Sequence, residues 1–250
     1  MKHILIYPVG STEACGFAGS CLKQAGFPLT DHPTPEVSHL LLDVPSFSAD
    51  GSLRGGGSLP AVLERLPPGI TVIGGKLKHP ALAEYPLLDL LTDAAYLARN
   101  AAITAECALQ VAYPLLPTAL SDTPTLIIGW GRIGKCLAKL LYGMGCPVTI
   151  AARNPKDRAM ASALGWNTVD IPAISGILPG IRLLFSTVPA PVLESADSFT
   201  DCVKIDLASS PGLTGRDIVY ARGLPGLYAP ESSGRLIAET ILRHLREETI

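Results

Sequence analysis

The chain reads as an α/β protein in two lobes, the second a doubly wound parallel sheet. Three observations predict this. The apolar run Thr125-Leu126-Ile127-Ile128 ends abruptly in the spaced glycines Gly129, Gly131 and Gly134. A helix-spaced pattern of Ile133, Leu137, Leu140, Leu141 and Met144 follows, broken by Gly145-Cys146-Pro147 before a second apolar run, Val148 to Ala152. Elsewhere, short apolar runs bounded by Gly, Pro and Ser alternate with helical patterns. A strand, a crossover helix and a second strand in this order form a parallel unit.

The glycines give that unit a chemistry. Gly129 allows a tight turn, Gly131 lets the backbone approach a pyrophosphate, and Gly134 lets the helix pack close to the sheet. Trp130, Arg132 and Ile133 complete the turn, whose free N–H groups and helix dipole favour an anion. Such a glycine spacing alone is a weak signal in a chain with 24 glycines. Its strand-turn-helix-strand context makes it a dinucleotide site, against the plainer reading of glycines that serve packing alone.

The end of the second strand selects the dinucleotide. An NAD site places Asp or Glu about twenty residues beyond the glycines, to take the ribose hydroxyls. This chain has Ala152-Arg153-Asn154 there. A planar cation suits a 2′-phosphate, so NADP is preferred to NAD; an exposed Arg beside a helix start is the plain alternative.

A length of 250 residues accommodates two domains, placed at 1–98 and 99–250, with the terminal helix free to pack back on the first. The composition is 48% hydrophobic and 17% charged with net charge −2, and no basic stripe interleaved with aromatics points to nucleic acid. Six cysteines, at 15, 21, 107, 136, 146 and 202, form no metal-ligand spacing. They read as small apolar residues in a reduced, cytoplasmic setting with no metal. The apolar run after Lys2 is too short for a signal peptide, and no run reaches membrane-spanning length.

In the first lobe, Lys2 to Pro8 reads as a strand leading into a helix that reaches about Ala25, with Ser11 or Thr12 as N-cap. Leu40 to Val44 and Thr71 to Ile73 are further strands, with a helix at Leu59 to Leu66 between them. The glycine-rich stretch Ala49 to Ser58 reads as a mobile loop: a lid carrying Arg54, or a plain surface connection. Leu87 to about Leu120 carries linking helices, with Asn100, Thr104 and Glu106 near the start of the long one and Thr104 as its N-cap.

In the second lobe, Pro155 to Leu164 reads as a helix and Thr168-Val169 as a short strand. The strand Leu183 to Val188 ends in Thr187-Val188-Pro189, where a turn would flank a ribose, and Val203 to Ala208 brings Leu207 and Ala208 towards the nicotinamide. Leu224 to Tyr228 reads as a last strand, and Ser232-Ser233 as the cap of a terminal helix.

From Asn100 to the C-terminus, about three fifths of its length, the chain resembles the A subunit of dipicolinate synthase. The matching elements are Asn100 to Glu106, Gly129 to Gly134, Val148 to Arg153, Thr187 to Ala190, Ile205 to Ser209, Gly223 to Gly226, and Ala229-Pro230 followed by Gly234. The resemblance implies two Rossmann-like lobes, as in the formate and 2-hydroxyacid dehydrogenases. It also implies an NADP-linked oxidoreductase that, with a second, flavoprotein-like subunit, converts a dihydrodipicolinate-type dicarboxylate to dipicolinate in spore-forming bacteria. A homo-oligomer is expected. Asp206 and Glu106 are the carboxylates that it brings nearest the cleft, and burial or capping explains each equally well.

The chain also departs from that family. Its first lobe is shorter, Tyr7 to Ser11 replaces a Gly-Asp-Ala-Arg-type loop, and Ser210 and Glu231 stand where the family carries cations. Either Arg54, Lys76 or Arg132 compensates, or the substrate is another small carboxylate. A 2-hydroxyacid dehydrogenase would need a His acid/base in the cofactor lobe, yet His3, His32, His39 and His79 precede it and His244 lies in the terminal helix. The further alternative is a non-catalytic NADP-binding subunit.

Overall fold

The computed structural model describes residues 4–193, 196–198 and 201–247. Lys2 and His3, at the start of the first expected strand, lie outside the described residues. The chain forms two units, one of residues 1–100 with 225–250 and one of residues 101–224.

The first unit holds four parallel strands in sequence order: β1 (Ile6–Pro8), β2 (His39–Leu41), β3 (Thr71–Gly74) and β4 (Leu87–Asp89). Helix α1 (Glu13–Gln24) joins β1 to β2, and the short α2 (Leu59–Leu63) lies between β2 and β3. Leu40, Leu42, Leu59, Leu63, Ile70, Val72 and Leu77 form a buried cluster. Helix α7 (Pro230–Glu247) packs against α1, and the crossing is close at Gly234. A side chain there would collide with the Ala14 carbonyl and stand 2.9 Å from the Ala18 nitrogen.

The second unit is a six-stranded parallel sheet. Its strands are β5 (Thr125–Ile128), β6 (Val148–Ala151), β7 (Asn167–Val169), β8 (Leu183–Ser186), β9 (Val203–Asp206) and β10 (Ile218–Tyr220). They lie in the order β10-β9-β8-β5-β6-β7, which is the doubly wound arrangement with its reversal between β5 and β8. Helix α4 (Arg132–Gly143) crosses from β5 to β6 and α5 (Pro155–Ala163) from β6 to β7. Every residue of β5 and β8 is buried, as expected of central strands covered on both faces.

Several expectations are corrected. Leu224–Tyr228 is a helix, α6, and the last strand is β10. Pro225 and Gly226 suit a first helical turn better than a ladder, since Pro lacks the N–H a strand needs. The long helix α3 spans Ala94–Ala112, so Thr104 lies mid-helix. Its first turn is capped instead by Asp93, whose Oδ1 accepts from the Tyr96 N–H at 2.8 Å. The terminal helix starts at Pro230, and the Ser233 N–H already donates to Ala229 at 2.9 Å, so Ser232 and Ser233 lie inside it. Strand β4 occupies a stretch expected to be helical. The 49–58 loop, expected to be mobile, is tied down: Leu53 is buried, and the Arg54 N–H donates to Ser46 at 3.0 Å.

Candidate dinucleotide site

In an open parallel sheet a ligand crevice forms where the strand order reverses, at the carboxyl ends of the strands. Here that point lies beyond Ile128 of β5 and Ser186 of β8. Gly129 turns the chain out of β5 with φ +107°, and a side chain on it would collide with Thr187 Oγ1 and stand 2.9 Å from Val188 Cγ2. Conformation and space both demand glycine. Gly134 has the same constraint for a different reason: a Cβ there would run into the Gly129 carbonyl. Gly131 has none, since a Cβ would meet no protein atom within 4 Å.

Gly131 is the N-cap of α4, and no side chain caps that helix. Its first-turn N–H groups therefore lack the usual side-chain acceptor. The first unit treats the equivalent position differently. At the start of α1, Asp43 accepts from the Ser11 N–H at 2.9 Å, from the Thr12 N–H at 3.0 Å and from both hydroxyls. The Thr12 side chain in turn accepts from Cys15 N–H at 3.3 Å. The turn into α1 is thus occupied by the chain's own Asp43 and Thr12 side chains, whereas the start of α4 has no side-chain acceptor.

The flanking residues have distinct surroundings. Trp130 is 6% exposed, with its indole edge-on to Trp166 at 5.1 Å and the Lys135 ammonium 5.8 Å from its ring. Its side chain therefore packs. Ile133 is half-buried and Arg132 exposed. At the end of β6, Ala152 is buried, and Arg153 is exposed without a hydrogen bond or ion pair from its guanidinium among the described residues. Asn154 caps α5, accepting from the Lys156 N–H at 2.9 Å.

Sequence reasoning missed Arg158. Its Nη1 donates to the Ala152 carbonyl at 2.6 Å and the Arg153 carbonyl at 2.9 Å, and pairs with Asp170 at 3.0 Å. It clasps the turn on which Arg153 stands. The available signal was a second Arg five positions on, within reach of the strand end once α5 begins at Pro155.

On the β8 side, the Thr187 N–H and hydroxyl both donate to the Ile128 carbonyl, at 2.9 and 3.0 Å, which locks the Thr187-Val188-Pro189 turn against the end of β5. Leu207 and Ala208 follow β9 and are buried. Asp206 is fully buried, and accepts from the N–H groups of Ala208 at 3.0 Å, Gly212 at 2.7 Å and Leu213 at 3.1 Å. Its carboxylate anchors the 207–213 loop. Glu106 is exposed on α3; together with burial, the larger cause, its charge pushes the Cys107 thiol up. Arg54, Lys76 and Ser210 are exposed, and Glu231 pairs with Arg235 at 2.7 Å. No cluster of three metal-ligating side chains occurs among the described residues.

No protein-family model matches the chain. It is 26% identical to the dipicolinate synthase A subunit of Bacillus subtilis (strain 168) over 161 residues, 59% of this chain. The match covers 54% of that relative, so the chain spans about half the length of the curated protein it matches. Its fold is similar to the crystal structure of the dipicolinate synthase A subunit from Bacillus halodurans, with TM-score 0.84 and 20% identity over 98% of both chains. An L-alanine dehydrogenase structure is similar at TM-score 0.67 and 15% identity, covering 96% of this chain and 80% of that one. The chain is therefore similar to the A subunit of dipicolinate synthase in sequence and, over nearly its whole length, in fold, and the fold is the Rossmann-like α/β architecture of dehydrogenases.

Proposed function

We propose that the chain is a nicotinamide-dinucleotide-dependent oxidoreductase of the same kind as the A subunit of dipicolinate synthase, linked to NADP in preference to NAD. The observation that carries this reading is the uncapped start of α4, with Gly131 facing open space, beside a first unit whose equivalent position its own Asp43 fills. The N–H groups from Trp130 to Gly134 would hold the pyrophosphate. Ala152, Arg153 and Asn154 would line the adenosine ribose, with Arg153 on its 2′-phosphate. Thr187, Val188, Pro189, Leu207 and Ala208 would flank the nicotinamide half.

The cofactor, when bound, supplies the hydride acceptor. The substrate proposed is a dihydrodipicolinate-type ring; loss of a hydride to the cofactor and a proton to solvent leaves an aromatic pyridine dicarboxylate. The protein's part is to hold the ring against the nicotinamide and exclude water. Similarity to one named component of a synthase supports, as partner, a second, flavoprotein-like subunit; self-association into a homo-oligomer is proposed with it. Six free cysteines support a reducing, cytoplasmic setting.

One observation favours a second reading, an NADP-binding subunit without catalysis: Asp206, the buried carboxylate nearest the crevice, is engaged by three backbone N–H groups. The deciding experiment measures NADPH formation by the purified chain with freshly generated dihydrodipicolinate precursor and NADP, with and without a dipicolinate synthase flavoprotein subunit. Turnover in either mixture is expected. NADPH binding without turnover in either would select the non-catalytic reading.

A further inference from the structure

Two residues beyond the end of β10 stands a cation with a donor left over. Arg222 is half-buried, its Nη1 is shielded from solvent, and that nitrogen donates to nothing among the described residues. Its guanidinium carbon lies 5.8 Å from the centre of the Tyr220 ring, and the Tyr220 hydroxyl donates to the Leu213 carbonyl at 3.2 Å. Leu213 belongs to the loop that Asp206 anchors from below. The guanidinium is thus mounted on an aromatic ring that is itself fixed to the loop following β9. Buried polar groups in folded proteins are paired, and an unpaired charged donor shielded from solvent is placed for an anion.

The sheet order says which anion. β10 stands three strands from β5, about 14 Å at the usual interstrand spacing. The glycine turn that would hold the pyrophosphate follows β5, and Arg153 follows β6, farther still from β10. Both phosphate positions of a dinucleotide are therefore out of reach of Arg222. What remains at the β9–β10 side of a doubly wound sheet is the nicotinamide half and the reactant beside it. A guanidinium offers a planar fork of donors that matches a carboxylate edge to edge.

We propose that Arg222, just beyond the end of β10, binds a carboxylate group of the reactant. This deepens the oxidoreductase reading and rests on it. Arg222 is a binding residue that orients the reactant and takes no part in proton or hydride transfer.

The test uses the full chain and two variants, Arg222→Ala and Arg222→Lys, each first checked for an unchanged melting temperature. Pyridine-2,6-dicarboxylate is titrated calorimetrically onto protein saturated with NADP, and inorganic phosphate is titrated in parallel. NADPH affinity is measured separately by fluorescence. The expected result is at least tenfold weaker dicarboxylate binding in Arg222→Ala, an intermediate loss in Arg222→Lys, and unchanged NADPH affinity. Equal dicarboxylate affinity in all three proteins overturns the assignment, as does an absence of dicarboxylate binding by the unmodified chain. Phosphate binding as tight as that of the dicarboxylate overturns the carboxylate preference. Should NADPH itself fail to bind, the dinucleotide reading fails separately, and the same titration without cofactor still decides Arg222.

Discussion

The carbonyl oxygen of Gly129 fills the space that a Cβ on Gly134 would need. Two glycines of one turn thus depend on each other, and the third, Gly131, does not. Gly134→Ala is expected to destabilise the chain by about 1–3 kcal/mol, the usual range for overpacking, read as a lowered urea midpoint. Gly131→Ala is expected to leave that midpoint within about 0.5 kcal/mol and to weaken NADPH binding at least tenfold by fluorescence titration. Unchanged NADPH affinity in Gly131→Ala would remove the pyrophosphate from this turn.

In the proposed reading, Arg153 carries the cofactor choice. Arg153→Glu replaces an exposed, unpaired guanidinium with a like charge facing a 2′-phosphate. NADPH affinity is expected to fall at least tenfold more than NADH affinity. An equal loss for both would reject the 2′-phosphate assignment.

Asp43 ties down the turn that leads into α1. Asp43→Ala removes the acceptor of two N–H groups and two hydroxyls on the exposed Ser11 and half-buried Thr12, so a loss of about 1–3 kcal/mol is expected on chemical denaturation. A loss below about 0.5 kcal/mol would show that solvent can replace the carboxylate there.

Asp93 links pH to stability. The Tyr96 N–H, then Arg243 at 2.8 Å and His244 at 2.9 Å, hold its carboxyl well below the usual carboxylate range. Folding therefore favours its charged form. The stabilisation is complete above about pH 4, the unfolded value, and is lost as pH falls towards the lowered folded value. Asp93→Asn keeps the helix cap and removes the charge. It is expected to be about 1 kcal/mol less stable than the unmodified chain at pH 7, Arg243 being partly exposed, with the gap narrowing as pH falls below about 4. Parallel urea curves at all pH values would contradict this.

The second unit was largely legible because its signals are redundant. From β5 through β6, hydrophobic period, glycine spacing and helix breakers all agree. Legibility failed where one weak signal stood alone. Five residues from Leu224 to Tyr228 are too few for period to separate strand from helix, and only the Pro and Gly within them hinted at the outcome. β4 is three residues long, and its Asp89 is explained by distant backbone, the Lys76 and Leu77 N–H groups at 3.1 and 2.8 Å. The role of Asp206 was hidden for the same reason. A carboxylate at a strand end looks alike in sequence whether or not three amides meet it, and only the return of the chain at Gly212 brings them there.

The first unit is assembled from both flanks of the second, since α7 packs on α1 at Gly234 while residues 101–224 lie between them in sequence. During synthesis on a ribosome, which adds about 5–20 residues each second, the second unit can complete its sheet while α1 still waits for α7. The nascent first unit therefore exposes the face of α1 around Ala14 and Ala18 for several seconds more, so early folding intermediates of this chain should be vulnerable to chaperone capture and to proteolysis there rather than in the dinucleotide sheet.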